Sequence, residues 1–307
     1  MLWCGDCIVG NLVVCFRFSS SVGLIPLGYK SLELTAVSSS EKFTAVISVL
    51  SSLVTSTSQV FKLIKTLTAA DQIKEIFVLW ASDVKPPPST DWAFLGGLTG
   101  RTQLRLIQTN STSRFLHSNL VSTAAILYLD EDISLTTEEI NFAFQVWRTF
   151  QNRIVGFSAR THYWDEKKRL WTFSSKLSNE YSMVTTDAAF IHRKYAKLFI
   201  ENLSVSLTAA SQSFPDCEHV LMNFLVAHIT KHPPIKVTQR RITRDDSQVN
   251  LSKKADQFSR KQTCINIFYS GFGYMPLLKS SLRLDPVLFK DSVSRSRKKF
   301  RRMELVQ

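Results

Sequence analysis

Glycine and proline are scarce in this chain, 10 and 9 of 307 residues. That excludes a collagen repeat and a Gly/Pro-rich disordered protein. Charged residues reach 21% against 44% hydrophobic, without the sustained heptads of a coiled coil. A clean apolar run is missing too. Residues 8–28 are apolar, but Asn11 and Arg17 interrupt them and no basic segment precedes them. The stretch therefore reads neither as a clear membrane helix nor as a clear signal peptide. Acidic residues are outnumbered, 25 against 38 Lys+Arg, which leaves a net charge of +13. Such an excess favours anionic partners without defining a fold. No helix-turn-helix, zinc-finger or RNP-type pattern goes with it, so nucleic acid is not an expected partner.

Cysteine is sparse as well. Cys4, Cys7 and Cys15 crowd the N-terminus, while Cys217 and Cys264 stand alone downstream. Cys4-Gly5-Asp6-Cys7 has zinc or redox spacing, but no second pair or nearby His completes a site. Cys217 and Cys264 are able to form one disulfide in an oxidising compartment, though spacing does not decide it. Sequons at Asn110, Asn202 and Asn250 lean towards the secretory pathway.

What the chain does have is length for a sizeable core and a regular alternation of strand-like and helix-like segments. Strands are expected at Phe43–Leu50, Ile76–Trp80, Leu104–Gln108, Ala124–Leu129 and Ile154–Phe157. Val60, Leu63, Ile64 and Leu67 share one helical face. Thr136 with Glu139 forms a capping box for a helix through Ala143, Val146 and Trp147. Residues 217–230 read as another helix. Pro86-Pro87-Pro88 breaks the chain between elements. Alternation of this kind predicts an α/β fold with a mostly parallel central sheet. Residues 1–42 form a leader, either a weak anchor or a truncated linker; 43–290 form one domain; 291–307 are a basic tail.

Two places carry candidate chemistry. Ile126-Leu127-Tyr128-Leu129 reads as a buried strand that ends in Asp130-Glu131-Asp132. Ligands of open α/β sheets bind beyond the carboxyl ends of strands. Three adjacent carboxylates there suit Mg²⁺ or Mn²⁺, which complete their shells with water and a diphosphate. The alternative is a solvated acidic loop ahead of the Thr136 cap. The second place is Cys217-Glu218-His219 at a helix start, where Glu218 and His219 are acid–base candidates. There the alternative is that Asp216 caps, Glu218 occupies the first turn and His219 faces solvent. Arg114, just before the Ile126 strand, offers a guanidinium fork for phosphate oxygens. The aromatics of His162-Tyr163-Trp164-Asp165 can line an acceptor groove.

The acidic triplet is followed in order by Asn141-Phe142-Ala143-Phe144-Gln145-Val146-Trp147, Glu180-Tyr181-Ser182-Met183-Val184, Leu221-Met222-Asn223-Phe224-Leu225-Val226, Pro233-Pro234-Ile235-Lys236-Val237, Gly273-Tyr274-Met275-Pro276-Leu277 and Leu284-Asp285-Pro286-Val287-Leu288-Phe289. This collinear series resembles the C-terminal glycosyltransferase domain of the exostosin family, glycosyltransferase family 64. The resemblance implies a GT-A type nucleotide-sugar fold using Mn²⁺. It implies transfer of N-acetylglucosamine from a UDP-sugar donor, with retention, in heparan sulfate biosynthesis. Asp132 would be the metal ligand. Asp130 and Glu131 would contact ribose and sugar, and Arg114 would reach the donor. Glu218 and His219 stand where the family pairs acids beside the reacting sugar. Lys261 stands where a diphosphate-binding Arg is usual, and Cys217 and Cys264 match a disulfide. The acceptor would be heparan sulfate or a proteoglycan, the setting the lumenal face of Golgi or endoplasmic reticulum membranes. A second exostosin is the expected hetero-oligomer partner.

Four departures stand out: His219 for an acid, Lys261 for Arg, Ala81 after Trp80 where Asn is common, and Ser52 where some members carry Arg. Each weakens donor handling. They leave a second expectation, a catalytically weak or inactive partner subunit that binds heparan chains or another exostosin.

Overall fold

The computed structural model describes residues 8–9, 12–13, 41–50, 55–81, 85–88, 92, 102–174, 179–203, 207, 209, 217–238 and 251–286. Most of the 1–42 leader, Ser52, Asp216, Asn250, the cluster of Arg240, Arg241 and Arg244, and the 291–307 tail lie outside the described residues.

Strand β1 (Phe43–Val49) is buried at every position, as a strand covered on both faces must be. Helix α1 (Thr55–Thr68) buries Val60, Leu63, Ile64 and Leu67 and leads into β2 (Ile73–Trp80). Strands β3 (Gln103–Gln108) and β4 (Ala125–Asp130) follow. Helix α2 (Thr137–Thr149) opens with the expected capping box. The Thr136 hydroxyl accepts the Glu139 N–H at 3.3 Å, and Glu139 Oε2 accepts the Thr136 N–H at 2.8 Å. Then come β5 (Val155–Gly156), β6 (Ala159–Asp165), β7 (Leu170–Ser174), β8 (Met183–Val184), β9 (Ala188–His192), α3 (Arg193–Glu201), α4 (Cys217–Thr230), β10 (Ile235–Val237), α5 (Leu251–Phe272) and β11 (Arg283–Leu284).

The central sheet runs β11-β10-β5-β9-β4-β1-β2-β3. Strand β9 is antiparallel to both β4 and β5, and the other pairings are parallel. The expected α/β architecture with a mostly parallel sheet is what the chain forms. Alternate side chains of β4 feed two cores: Ile126 and Tyr128 join one, Ala125, Leu127 and Leu129 the other. Residues of α1 and α2 fill the second core, and those of α3, α4 and α5 fill the first.

A smaller antiparallel sheet, β8-β6-β7, sits against α5. Asn266 of α5 reads the β7 backbone: its Oδ1 accepts the Trp171 N–H at 2.9 Å and its Nδ2 donates to the Trp171 carbonyl at 2.8 Å. Gly156 marks the tightest approach in the sheet. A Cβ there would lie 2.5 Å from Val184 Cγ1 and 2.7 Å from the Ala188 carbonyl oxygen. The missing side chain lets β5 hold the segment between β8 and β9 close, and that segment enters the site below.

Candidate active site

Parallel strands β1 and β4 end side by side, with Ser48 opposite Asp130. Because β9 runs the other way, its start falls where β4 ends. The Asp130 N–H donates to the Asp187 carbonyl at 2.8 Å. Three polar residues, Thr185, Thr186 and Asp187, thereby reach the carboxyl edge of the sheet.

Arg114 lies at the centre, only 4% exposed. Its neighbour Phe115 anchors it, packed against Tyr128 at 4.9 Å and Phe199 at 4.8 Å between ring centroids. Arg114 Nη1 donates to Asp130 Oδ1 at 2.7 Å and to the Thr186 carbonyl at 2.9 Å. Its backbone N–H donates to Glu218 Oε2 at 3.3 Å, and its Nε lies 3.9 Å from the same oxygen. Burial opposes the guanidinium charge, yet Asp130, Glu218 and Asp187 outweigh it and hold the group above its ordinary value. Burial pushes the Asp130 carboxyl up to about 7; Arg114 pulls against that, while Asp187, Asp132 and Glu131 reinforce it. Glu218 is also raised by burial, with Arg114 and Ser113 opposing.

The triplet divides its labour. Asp130 pairs with Arg114, and Glu131, 8% exposed, accepts the Leu50 N–H at 3.1 Å and so ties the end of β1 to the turn after β4. Asp132 is the exposed member. Among the described residues no group of three or more His, Cys, Asp and Glu is placed to hold a metal by itself.

Helix α4 brings Glu218 and His219 to the same edge. His219 is 8% exposed, which corrects the solvent-facing alternative. Its Nδ1 accepts the Thr186 N–H at 3.1 Å and lies 2.6 Å from the Thr186 hydroxyl. One turn on, Asn223 clamps β8: its Oδ1 accepts the Val184 N–H at 3.0 Å and its Nδ2 donates to the Val184 carbonyl at 2.8 Å. Cys217 is bonded to Cys264, with Cα atoms 5.8 Å apart, so α4 is joined to α5 at its first residue. Lys261, one turn earlier on α5, sits with its Nζ 6.0 Å from the Phe173 ring centroid. It shares with His219 and Arg160 the wall of a small cavity of about 10 Å³, room for one water.

The structure thus brings Arg114, Asp130, Glu131, Asp132, Glu218 and His219 to one edge, and sets Lys261 at its flank. Sequence reasoning missed Thr186, Asp187 and Asn223. The signal available was a polar trio, Thr185-Thr186-Asp187, directly before the apolar run of β9. Trp80, whose successor is Ala81, ends β2 and packs edge-on against Trp92 at 6.4 Å. No helix among the described residues is long and apolar enough to cross a membrane.

Residues 43–289 match the glycosyl transferase family 64 domain. The chain belongs to this family. This family 64 chain is 40% identical over 311 residues to exostosin-1c of Danio rerio, covering 100% of its own length and 41% of that protein. It is 42% identical over 303 residues to exostosin-1 of Pongo abelii, covering 96% of itself and 40% of the relative. Exostosin-1 of Drosophila melanogaster is 43% identical over 263 residues, 80% of this chain and 35% of that one. The chain therefore spans about two fifths of the length of these relatives, or less. The solved structure of GalNAc-T7 with UDP, GalNAc and Mn²⁺ overlays 60% of this chain and 40% of its own with a TM-score of 0.41 and 9% identity. Within the family 64 domain, the buried Glu218 is first of all the counter-ion of Arg114.

Proposed function

We propose that this domain transfers N-acetylglucosamine from UDP-GlcNAc, with retention, to a growing glucuronate–GlcNAc chain of heparan sulfate through an α1,4 linkage. One observation carries the reading: Arg114, Asp130-Glu131-Asp132 and Glu218, from three distant segments, converge at the carboxyl ends of β1 and β4. That edge is where α/β sheets receive nucleotides. Arg114, fixed by the buried Glu218 and the half-buried Asp130, holds Asp130 in place beside the donor. Glu131 latches the β1 loop beneath it. Asp132 presents a hard, exposed oxygen donor of the kind Mn²⁺ takes alongside waters and a diphosphate. A cation held there by Asp132 would supply charge neutralisation to the diphosphate of the donor. Lys261 adds a positive group on the diphosphate side. The Cys217–Cys264 bond and the three sequons support a lumenal setting in the Golgi or endoplasmic reticulum, with a second exostosin as partner subunit.

Calorimetry tests the reading. UDP should bind weakly without Mn²⁺ and much more tightly with it. Asp132→Ala should remove the metal-dependent part and leave the fold intact. Equal UDP affinity with and without Mn²⁺ would defeat it.

One observation favours a second reading, a catalytically silent partner. His219 offers an imidazole where a carboxylate would stabilise positive charge on the sugar, and its Nδ1 is committed to the Thr186 N–H. A nitrogen that accepts an N–H carries no proton, so the ring is neutral in this arrangement. Metal-dependent UDP binding without hydrolysis of UDP-GlcNAc would assign the domain to that role.

A further inference from the structure

At the β10–β11 edge of the sheet a second charged region is built on one buried hydroxyl. Tyr181 is 2% exposed. Its hydroxyl lies between the carbonyls of Pro234 and Leu282 and accepts the Lys236 N–H at 2.9 Å. Its backbone exchanges both hydrogen bonds with Ser280, at 2.9 and 2.7 Å. Three segments, around 181, 235 and 281, are thereby fixed together.

Basic side chains gather on this frame. Lys236 and Arg283 are directly paired across β10 and β11, and Arg160 of β6 pairs with Met183 two residues after Tyr181. Burial, then Arg283 and Arg160, lower the Lys236 ammonium below its ordinary value, with Asp285 opposing. Arg283 and Arg160 are therefore both within electrostatic reach of Lys236. Lys279 and Arg283, with side chains 53% and 56% exposed, complete the set. Two acids offset it in part: Glu180 lies 3.9 Å from Lys279, and Asp285 lies 3.5 Å from Arg283. Among the described residues at this edge, Lys236, Lys279 and Arg283 with Arg160 beside them stand against Glu180 and Asp285. Glu180, Lys279, Ser280, Ser281, Leu282 and Arg283 line an open groove of about 640 Å³.

We infer that this edge is a subsite for an acidic glycan, holding carboxylates of the acceptor chain at Arg160, Lys236, Lys279 and Arg283 away from its reacting end. The inference rests on the transferase reading above and extends it. The link towards the reaction centre is Arg160, which acts on Lys236 from outside the groove's lining and itself lines the small cavity shared by His219 and Lys261. A chain lying along the groove would thus be led to the edge that carries His219. The groove suits sugars rather than bases. Its walls supply serine hydroxyls, cations and Leu282, 40% exposed, but no aromatic platform of the kind that single-stranded nucleic acids stack on.

The test is direct binding of an unsulfated glucuronate–N-acetylglucosamine oligosaccharide to the whole chain, beside its carboxyl-reduced counterpart and a single-stranded oligonucleotide of equal charge. UDP binding with Mn²⁺ is measured on the same samples. K236Q/K279Q/R283Q should weaken the oligosaccharide about tenfold or more and flatten its salt dependence, leaving UDP affinity unchanged. K279Q/R283Q, confined to exposed side chains, should show part of that loss even if Lys236→Gln disturbs the strand. The carboxyl-reduced sugar should bind poorly to the parent chain. Oligosaccharide affinity indifferent to both variants, or an oligonucleotide bound as tightly as the sugar, overturns the inference. If glycan binding follows the substitutions while UDP never binds, the subsite stands and the transferase reading alone fails.

Discussion

The two charged regions of this molecule are built on opposite principles. At the end of β4 one buried guanidinium faces Asp130, Glu218 and Asp187, so the buried cation is more than matched by acids inside the fold. At the β10–β11 edge the guanidinium of Arg283 is more than half exposed and cations outnumber acids. Charges of the first kind serve geometry, because moving any of them strands a partner away from water. Charges of the second kind cost the fold little and remain available to a ligand. A strongly basic composition does not separate the two; burial and pairing do.

The sharpest way to break the comparison is at Arg114. Arg114→Leu leaves Asp130 and Glu218 facing each other's surroundings without their cation, and should cost about 3–5 kcal/mol of unfolding free energy in urea titration. A loss below 1 kcal/mol would mean that the centre is not the matched cluster described. Next in size is the clamp behind it. Cys217→Ser with Cys264→Ser opens a crosslink between residues 47 apart. The chain-entropy model gives roughly 3–4 kcal/mol for such a loop. Non-reducing peptide mapping should find the 217–264 pair, and donor binding should weaken with its removal because α4 carries Glu218.

Two buried histidines elsewhere should titrate in the opposite sense to the raised carboxyls of the centre. His162 is lowered to about 4 by burial, then by Lys279; His192 is lowered to about 4 by burial, then by Lys194 and Arg193. Unfolded, each ring takes its proton near pH 6.5. Between pH 6.5 and 4 these two rings therefore bind more protons in the unfolded chain than in the folded one, and their contribution to stability is lost as pH falls through that window, while the raised carboxyls of Asp130 and Glu218 act in the opposite direction. The drop in unfolding free energy from pH 7 to pH 5, measured by urea titration, should therefore be smaller in His162→Gln/His192→Gln than in the parent chain, by about 3–4 kcal/mol for the two rings together. The smallest effect belongs to the edge: K279Q/R283Q should change stability by no more than about 0.5 kcal/mol.

Much of this was legible in the sequence where one physical rule governed. The 3.6-residue spacing of Val60, Leu63, Ile64 and Leu67 gave the buried face of α1, and Thr136 with Glu139 gave the start of α2. The strand ending in the acidic triplet was visible because four apolar residues stop abruptly at three carboxylates. What sequence could not show depended on chain direction and register. Strand β9 reverses the sheet, and only that reversal brings Thr186 and Asp187 beside Asp130. Its residues Ala188–His192 are buried throughout, so they carry no period-two pattern to announce a strand. Glu218 shows the same limit. Its place at a helix start was readable, but not that its oxygen would be taken by the Arg114 backbone from 104 residues away. Lys236 and Arg283 are ordinary surface cations until the parallel pairing of β10 and β11 sets them side by side.

The span of that Arg114–Glu218 contact also orders events in time. During synthesis, β1 to β4 leave the ribosome well before α4 exists, and Leu50 can meet Glu131 across 81 residues while the rest is still being made. Arg114 meets Asp130 across 16 residues, but its second counter-ion must wait for another closure of 104. Contacts of such long range form slowly, since their loop entropy is lost before any energy returns. The carboxyl edge of β1 and β4 is therefore one of the last parts of this domain to mature. A nascent chain stalled short of α4 would own its acidic triplet yet leave its central arginine without Glu218, exposed to whatever quality control inspects unfinished proteins.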